Sequence, residues 1–365
     1  MRTTVLTFTL LATLLGSTSH LRADDNQWKF AGQSPEVWEE SGSFADSPYP
    51  EGSEESPSYI RPRYWFLPPK FGVYAEIDAL FLGRFGGGAN NQAIATNNPV
   101  DSQVVMTVGN ASLAGQYNPG LVGTLGFNLD QIAQLEITYW GLNSWNNSAT
   151  VTDNGPFPSL GLAGTLQTVT SDYQLADRIT IDYTSYIQNA EINYKQTING
   201  VTLMFGPRYL RMVEGFNIQS QSGYTLTTSD YHITAVNNLI GLQFGAGWRF
   251  ERGPWYFSLT GKAGPYMNAV HQSTLMQDFG NTITLRNYNA DGMPISTLVE
   301  TESKLMYRVT DWFALSVGHR FLWIQNLAFA PDQLDLSNSP PGTQVLNAHN
   351  HLWLSGFTVG GEFRW

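Results

Sequence analysis

The 365-residue sequence has no cysteine, so no disulfide, thiolate metal site or cysteine nucleophile can form. Charge is scarce: Asp, Glu, Lys and Arg together make up 13% of the chain, and acids outnumber bases 30 to 19. The formal net charge of −11 gives nucleic acid nothing to bind. Long apolar runs are missing too. Beyond the first two dozen residues no stretch of about 18 apolar residues occurs, which excludes a transmembrane helix but not membrane strands that close on themselves. No GxSxG, HExxH or phosphate-binding glycine loop stands in a supporting context, so no catalytic residue, cofactor or metal is expected.

Aromatic residues and glycine are plentiful, with 11 Trp, 17 Tyr, 20 Phe and 35 Gly. Rich in both and poor in charge, the composition is that of a β-barrel. Near the start, Arg2 precedes an apolar run from Val5 to Leu15, followed by small and polar residues up to Ala23. Residues 1–23 therefore read as a secretory signal peptide. From Asp24 to Tyr59 the chain is acidic and rich in Ser and Pro, with Glu36, Glu39, Glu40 and Asp46 among Pro35, Pro48 and Pro50. Such a stretch cannot bury a core. Residues 24–70 are expected to form a disordered periplasmic extension and lead-in, on which Trp28, Phe30 and Trp38 offer a contact for an envelope partner.

Residues 71–365 read as a single transmembrane antiparallel up-and-down β-barrel. In Phe71–Phe85, Phe71, Val73, Ile77, Phe81 and Phe85 fall on one face, while Glu76, Asp78 and Arg84 fall on the other. Charges facing lipid are costly, so the even positions must face the lumen. Nine further candidates follow at 119–129, 134–142, 178–195, 200–212, 237–250, 255–269, 295–308, 312–327 and 352–365. Short links alternate with long ones, as expected when periplasmic turns are tight and external loops long, and both termini come out periplasmic. Twelve strands remain open if Phe216–Thr228 forms a hairpin of its own. The runner-up fold is a soluble secreted barrel or sandwich.

The last strand carries Thr358, Gly360, Phe363 and Trp365, a polar-x-Gly-x-x-aromatic-x-aromatic spacing. It resembles the C-terminal signal read by the bacterial barrel-assembly machinery, and makes that machinery and outer-membrane lipid the expected partners. Gly206-Pro207-Arg208-Tyr209-Leu210 with Glu214-Gly215-Phe216, Ala190-Glu191-Ile192-Asn193, Lys262-Ala263-Gly264 and Val317-Gly318-His319-Arg320 are similar to blocks of the putative beta-barrel porin-7 family of planctomycete genomes. The resemblance spans about Phe71 to Trp365 and implies an outer-membrane barrel. His319 departs from it where an aromatic is expected, and parity turns this residue toward lipid.

The expected lumen charges are Glu76, Asp78, Glu136, Glu191, Glu300, Glu302 and Glu362 against Arg84, Arg208, Arg249, Lys262, Lys304, Arg308, Arg320 and Arg364. Near balance in a narrow interior suits mutual neutralisation, with Arg364 and Glu76 a pair to test. The leading functional expectation is porin-like passive passage of small polar solutes or ions. The alternative is a non-conducting structural or surface-recognition barrel acting through long external loops. A weaker third reading is a rim hydrolase: Asp230-Tyr231-His232 is similar to the rim dyad of omptin-type outer-membrane proteases, with His271, Asp332, Asp335, His349 and His351 nearby in the external loops.

Overall fold

The computed structural model describes residues 72–87, 91–97, 103–155, 157–164, 172–198, 200–337 and 346–365. The expected signal peptide and acidic extension lie outside the described residues. Fifteen strands follow in chain order: β1 (Gly72–Phe85), β2 (Ala93–Asn97), β3 (Gln103–Thr107), β4 (Tyr117–Asn128), β5 (Ala133–Leu142), β6 (Trp145–Thr152), β7 (Leu160–Leu162), β8 (Ala176–Ile198), β9 (Val201–Ser222), β10 (Thr228–Arg252), β11 (Trp255–Asp278), β12 (Ile283–Gly292), β13 (Ile295–Arg308), β14 (Phe313–Leu327) and β15 (Asn350–Arg364).

Ten of them, β1, β4, β5, β8, β9, β10, β11, β13, β14 and β15, form a closed antiparallel barrel. Pairing of β1 with β15, from Tyr74 opposite Arg364 to Phe85 opposite Trp353, joins the two ends of the sheet. Strict alternation makes this possible. In β1, Asp78, Leu80, Leu82 and Arg84 are buried while Ile77, Phe81 and Phe85 are exposed, and the same alternation runs through the other barrel strands, with odd positions inward in β8 and β10. The outward side chains make an apolar belt with an aromatic girdle at each edge. Trp255 with Tyr307 and Trp312 with Phe363 mark one edge; Phe321 and Trp323, both packed on Trp353, mark the other. At ~3.4 Å per residue and a tilt near 40°, the distance from Trp312 to Trp323 gives a belt roughly 28 Å tall, a match to a membrane's apolar layer.

The ten strands are those expected, but four of them are much longer. β8, β9, β10 and β11 run for 23, 22, 25 and 24 residues, well past the belt. Two of the segments read as external loops, 213–236 and 270–294, are therefore largely strand. Phe216–Thr228 is not a hairpin of its own: it holds the far ends of β9 and β10 and the turn between them, so the barrel has ten strands rather than twelve. Beyond the belt the outward positions turn polar, as at Gln188, Arg211 and Asn238, while the inward ones stay apolar, as at Ile181, Phe216 and Ile233. A reading keyed to outward apolar residues stops too soon.

β6 continues the line of β5 along β8, and β12 that of β13 along β11. A six-stranded wall, β6-β8-β9-β10-β11-β12, thus stands above the belt on one side of the barrel. Its inner face is covered by the connecting segments, which fold inward. Ile94, Met106, Val108, Leu113, Leu162 and Tyr173 join the wall residues in one apolar core, together with Leu327 at the end of β14 and Phe329, Leu334 and Leu336 beyond it.

Candidate functional site: the barrel lumen

Inside the belt, inward parity on six strands, β1, β8, β9, β11, β13 and β14, brings opposite charges into contact. Glu300 on β13 sits among three cations: Arg208 Nη1 at 2.6 Å, Lys262 Nζ at 3.1 Å and Arg320 Nε at 3.7 Å. Lys262 also holds Glu191 Oε1 at 2.8 Å, and Arg320 Nη2 lies 3.1 Å from Glu302 Oε2. Lys304 reaches across to Asp78 at 2.9 Å and to Glu76, and lies 3.5 Å from Glu302 on its own strand. Neutral groups complete the shell. Ser316 Oγ donates to Asp78, Arg208 Nε donates to Asn189 Oδ1, and Gln243 Nε2 donates to Asn193 Oδ1. Each charge is thereby removed from water but surrounded by its opposite, the condition under which buried ions are tolerated.

The expected Arg364–Glu76 pair is replaced. Glu76 goes to Lys304, and Arg364 Nε bonds to Glu362 two residues away on its own strand. Arg364 lies opposite Tyr74 in the register, and Glu362, not Arg364, lies opposite Glu76. Lys195, which sequence reasoning left out, pairs with Glu136 at 2.5 Å near the turn end, where Tyr74 OH also donates to Glu136. The parity that turns Glu191 inward applies to Lys195 as well and would have found it. Arg249 and Arg308 lie toward the same end, with the Arg249 guanidinium 5.3 Å from the Tyr256 ring centre.

Arg84 faces inward as expected but belongs to a second tier above the ion pairs, in the apolar core. There Arg84 Nη1 meets Glu214 Oε1 at 2.7 Å, Nη2 donates to Tyr183 OH at 2.8 Å, and the guanidinium lies 5.1 Å from the Phe329 ring centre. Glu214 was missed because it falls in a segment read as loop. Its second oxygen accepts from Tyr183 OH and from the Ala330 backbone N–H. Asn237 grips Ala328 by both its N–H and its C=O, Tyr231 OH donates to the Asp335 carbonyl, and Arg286 Nη1 pairs with the Asp335 carboxylate. Residues 328–337 are thus fastened across the mouth by side chains from β9, β10 and β12.

No family model matches the chain and no curated protein does, so the likeness to the porin-7 family has no further support. Among solved structures, the outer membrane protease OmpT from Escherichia coli is 9% identical, covering 82% of this chain and 98% of its own, with a TM-score of 0.42. A major outer membrane protein from Thermus thermophilus is 9% identical over 80% and 99%, with a TM-score of 0.29. An anion-selective porin from Comamonas acidovorans is 10% identical over 81% and 98%, with a TM-score of 0.20. These scores are low, and none of the likenesses carries an argument about this chain. Its own strand register makes it a closed ten-stranded antiparallel β-barrel.

The rim residues do not gather into a catalytic set. Asp230 and His232 point off the outside of the tall wall: Asp230 accepts from Asn217, Gln219 and Asn281, and His232 is bonded to Thr234. His271 pairs with Asp291 at 2.7 Å on that same outer face, while Asp335 is committed to Arg286. His349 and His351 are exposed, and among the described residues no group of three His, Asp or Glu side chains is placed to hold a metal. His319 does face outward into the belt, bonded to Ser355 Oγ at 3.0 Å and packed edge-on against Phe357. In the last strand Thr358 and Gly360 face the lumen, and Phe363 and Trp365 face out.

Proposed function

We propose that the chain is an outer-membrane β-barrel, both termini periplasmic, that is closed in the form described and works as a structural or surface-recognition protein through its tall external wall. The observation that carries this reading is the filling of the lumen in two tiers: ion pairs within the belt and an apolar core above it. Passive passage of small polar solutes, the leading expectation from sequence, would require both to part. An ion crossing the upper tier would leave water for side chains such as Leu210, Met212, Phe216 and Phe329, a large desolvation cost. No catalytic role is proposed.

Single-channel recording in a planar bilayer tests the proposal. Barrels shown to be folded by their heat-dependent shift in gel mobility are expected to give no stable conductance steps, with or without residues 24–59. Stable steps from the folded protein would overturn the closed reading and restore passive passage.

A further inference from the structure

At the turn joining β10 to β11, a cleft of about 460 Å³ opens among Phe250, Arg252, Trp255, Tyr256, Phe257 and Leu305. The register explains its form. Phe250, Phe257 and Leu305 stand opposite one another across β10, β11 and β13, and Arg252, Trp255 and Tyr307 make the next row toward the turn. The first row is apolar and faces outward in the belt. The second row is the girdle, with Trp255 and Tyr307 ring centres 4.7 Å apart and the exposed Arg252 beside them.

Arg252 differs from the cations of the lumen in one respect. Arg208, Lys262, Lys304 and Arg320 are all neutralised inside the lumen, whereas Arg252 has no ion pair or hydrogen bond among the described residues. Glu251, its neighbour in sequence, takes the opposite parity and turns away from it. An apolar cleft in the belt therefore ends, at the level where the belt meets water, in an unpaired guanidinium at the end of the Trp255–Tyr307 row.

We propose that this cleft binds one glycerophospholipid of the periplasmic leaflet. An acyl chain lies along Phe250, Phe257 and Leu305, and the phosphodiester accepts hydrogen bonds from Arg252, whose planar fork suits two phosphate oxygens. Charge selects this occupant: a neutral lipid would fill the apolar row and leave Arg252 unused, while a soluble anion would leave the row bare. Girdle aromatics lie at headgroup depth, which brings the phosphate to the height of Arg252. The site rests on the membrane reading given above.

Native mass spectrometry of the full chain, extracted in a mild non-ionic detergent, tests it. The wild-type barrel is expected to retain one phospholipid mass. Arg252→Gln should lower the retained fraction about fivefold, the factor that one basic residue near a membrane surface is worth. Leu305→Trp, which fills the cleft, should lower it as well, and Arg178→Gln on the external wall should leave it unchanged. Heat-dependent gel mobility establishes that each variant is folded. Folded Arg252→Gln and Leu305→Trp barrels that retain phospholipid as well as the wild type would overturn the site, as would a retained mass lacking phosphate. A chain that extracts without detergent would instead overturn the membrane reading itself.

Discussion

Arg84 Nη1 lies 2.7 Å from Glu214 Oε1, and these two fully buried charges from positions 130 residues apart meet in the apolar tier of the barrel. They meet because β1 and β9 both turn their even positions inward, and because β9 continues beyond the belt instead of ending in a loop. Glu214 also accepts the Ala330 N–H, so the pair both links two distant strands and secures the segment across the mouth.

Removing one member of this pair should cost far more than removing both. Glu214→Ala leaves the Arg84 guanidinium buried and uncompensated, and is expected to destabilise the barrel by about 3–5 kcal/mol. Arg84→Met combined with Glu214→Leu replaces the pair with apolar bulk and should lie much closer to the wild type. Urea unfolding of the refolded protein in lipid vesicles measures both. Equal losses in the single and double variants would show that burial of an unpaired charge is not what the single variant suffers.

Gly360 makes a different kind of contact with the lumen. A Cβ there would run into the Ile77 carbonyl and the Asp78 carboxylate, which is itself fixed by Lys304 and Ser316. Gly360→Ala should therefore cost about 1–3 kcal/mol, the usual penalty for overpacking. Phe363→Ala changes only the outward face of the same strand. In refolding without assembly factors, Gly360→Ala should be impaired and Phe363→Ala nearly normal; the reverse order would remove lumen fit as the reason for a glycine at 360.

Phe329 plugs the mouth from within. It is fully buried in the apolar core, and its ring stacks under the Arg84 guanidinium. Phe329→Ala should cost about 3–5 kcal/mol, since the transfer and cavity terms add in a site fenced by rigid strands. It should also raise hydrogen exchange in residues 328–336. Unchanged exchange there would mean that the segment is held by its polar anchors alone.

Much of this architecture was legible in the sequence, for a physical reason. Within the belt, lipid outside and charge inside impose opposite demands on alternate residues, so Ile77 against Asp78 or Val317 against Arg320 fixes both the strand and its facing. Above the belt the outer solvent is water, and the contrast inverts. Gln219 and Asp230 face out while Ile218 and Tyr231 face in, a pattern shared by any half-buried sheet. The ion pairs were legible only as a set of inward charges. That Lys304 rather than Arg364 holds Glu76 depends on reach across the lumen, for which no periodicity stands proxy.

Two hairpin tips at the far end of the wall meet on one buried carboxylate, and this gives the protein a specific response to acid. Asp172 is buried and accepts hydrogen bonds from Ser229 Oγ at 2.6 Å, Thr225 Oγ1 at 2.9 Å, Thr227 Oγ1 at 2.9 Å and the Gly280 N–H at 2.9 Å. It thus ties the β9–β10 turn to the β11–β12 turn. Burial pushes the Asp172 carboxyl up, but the hydrogen bonds, led by that of Ser229, outweigh it and hold the group below its ordinary value of 3.8. A carboxylate with a depressed folded-state pKa contributes stability that is fully present above the unfolded value and lost as pH falls through the folded one. The tips should accordingly keep their hydrogen-exchange protection from pH 7 down to about pH 4 and lose it only in stronger acid. Asp172→Asn carries no charge to lose, so its tips should be less protected than the wild type at pH 7 and nearly insensitive to acid. Wild-type tips that already loosen between pH 7 and pH 5 would mean that some other group governs them.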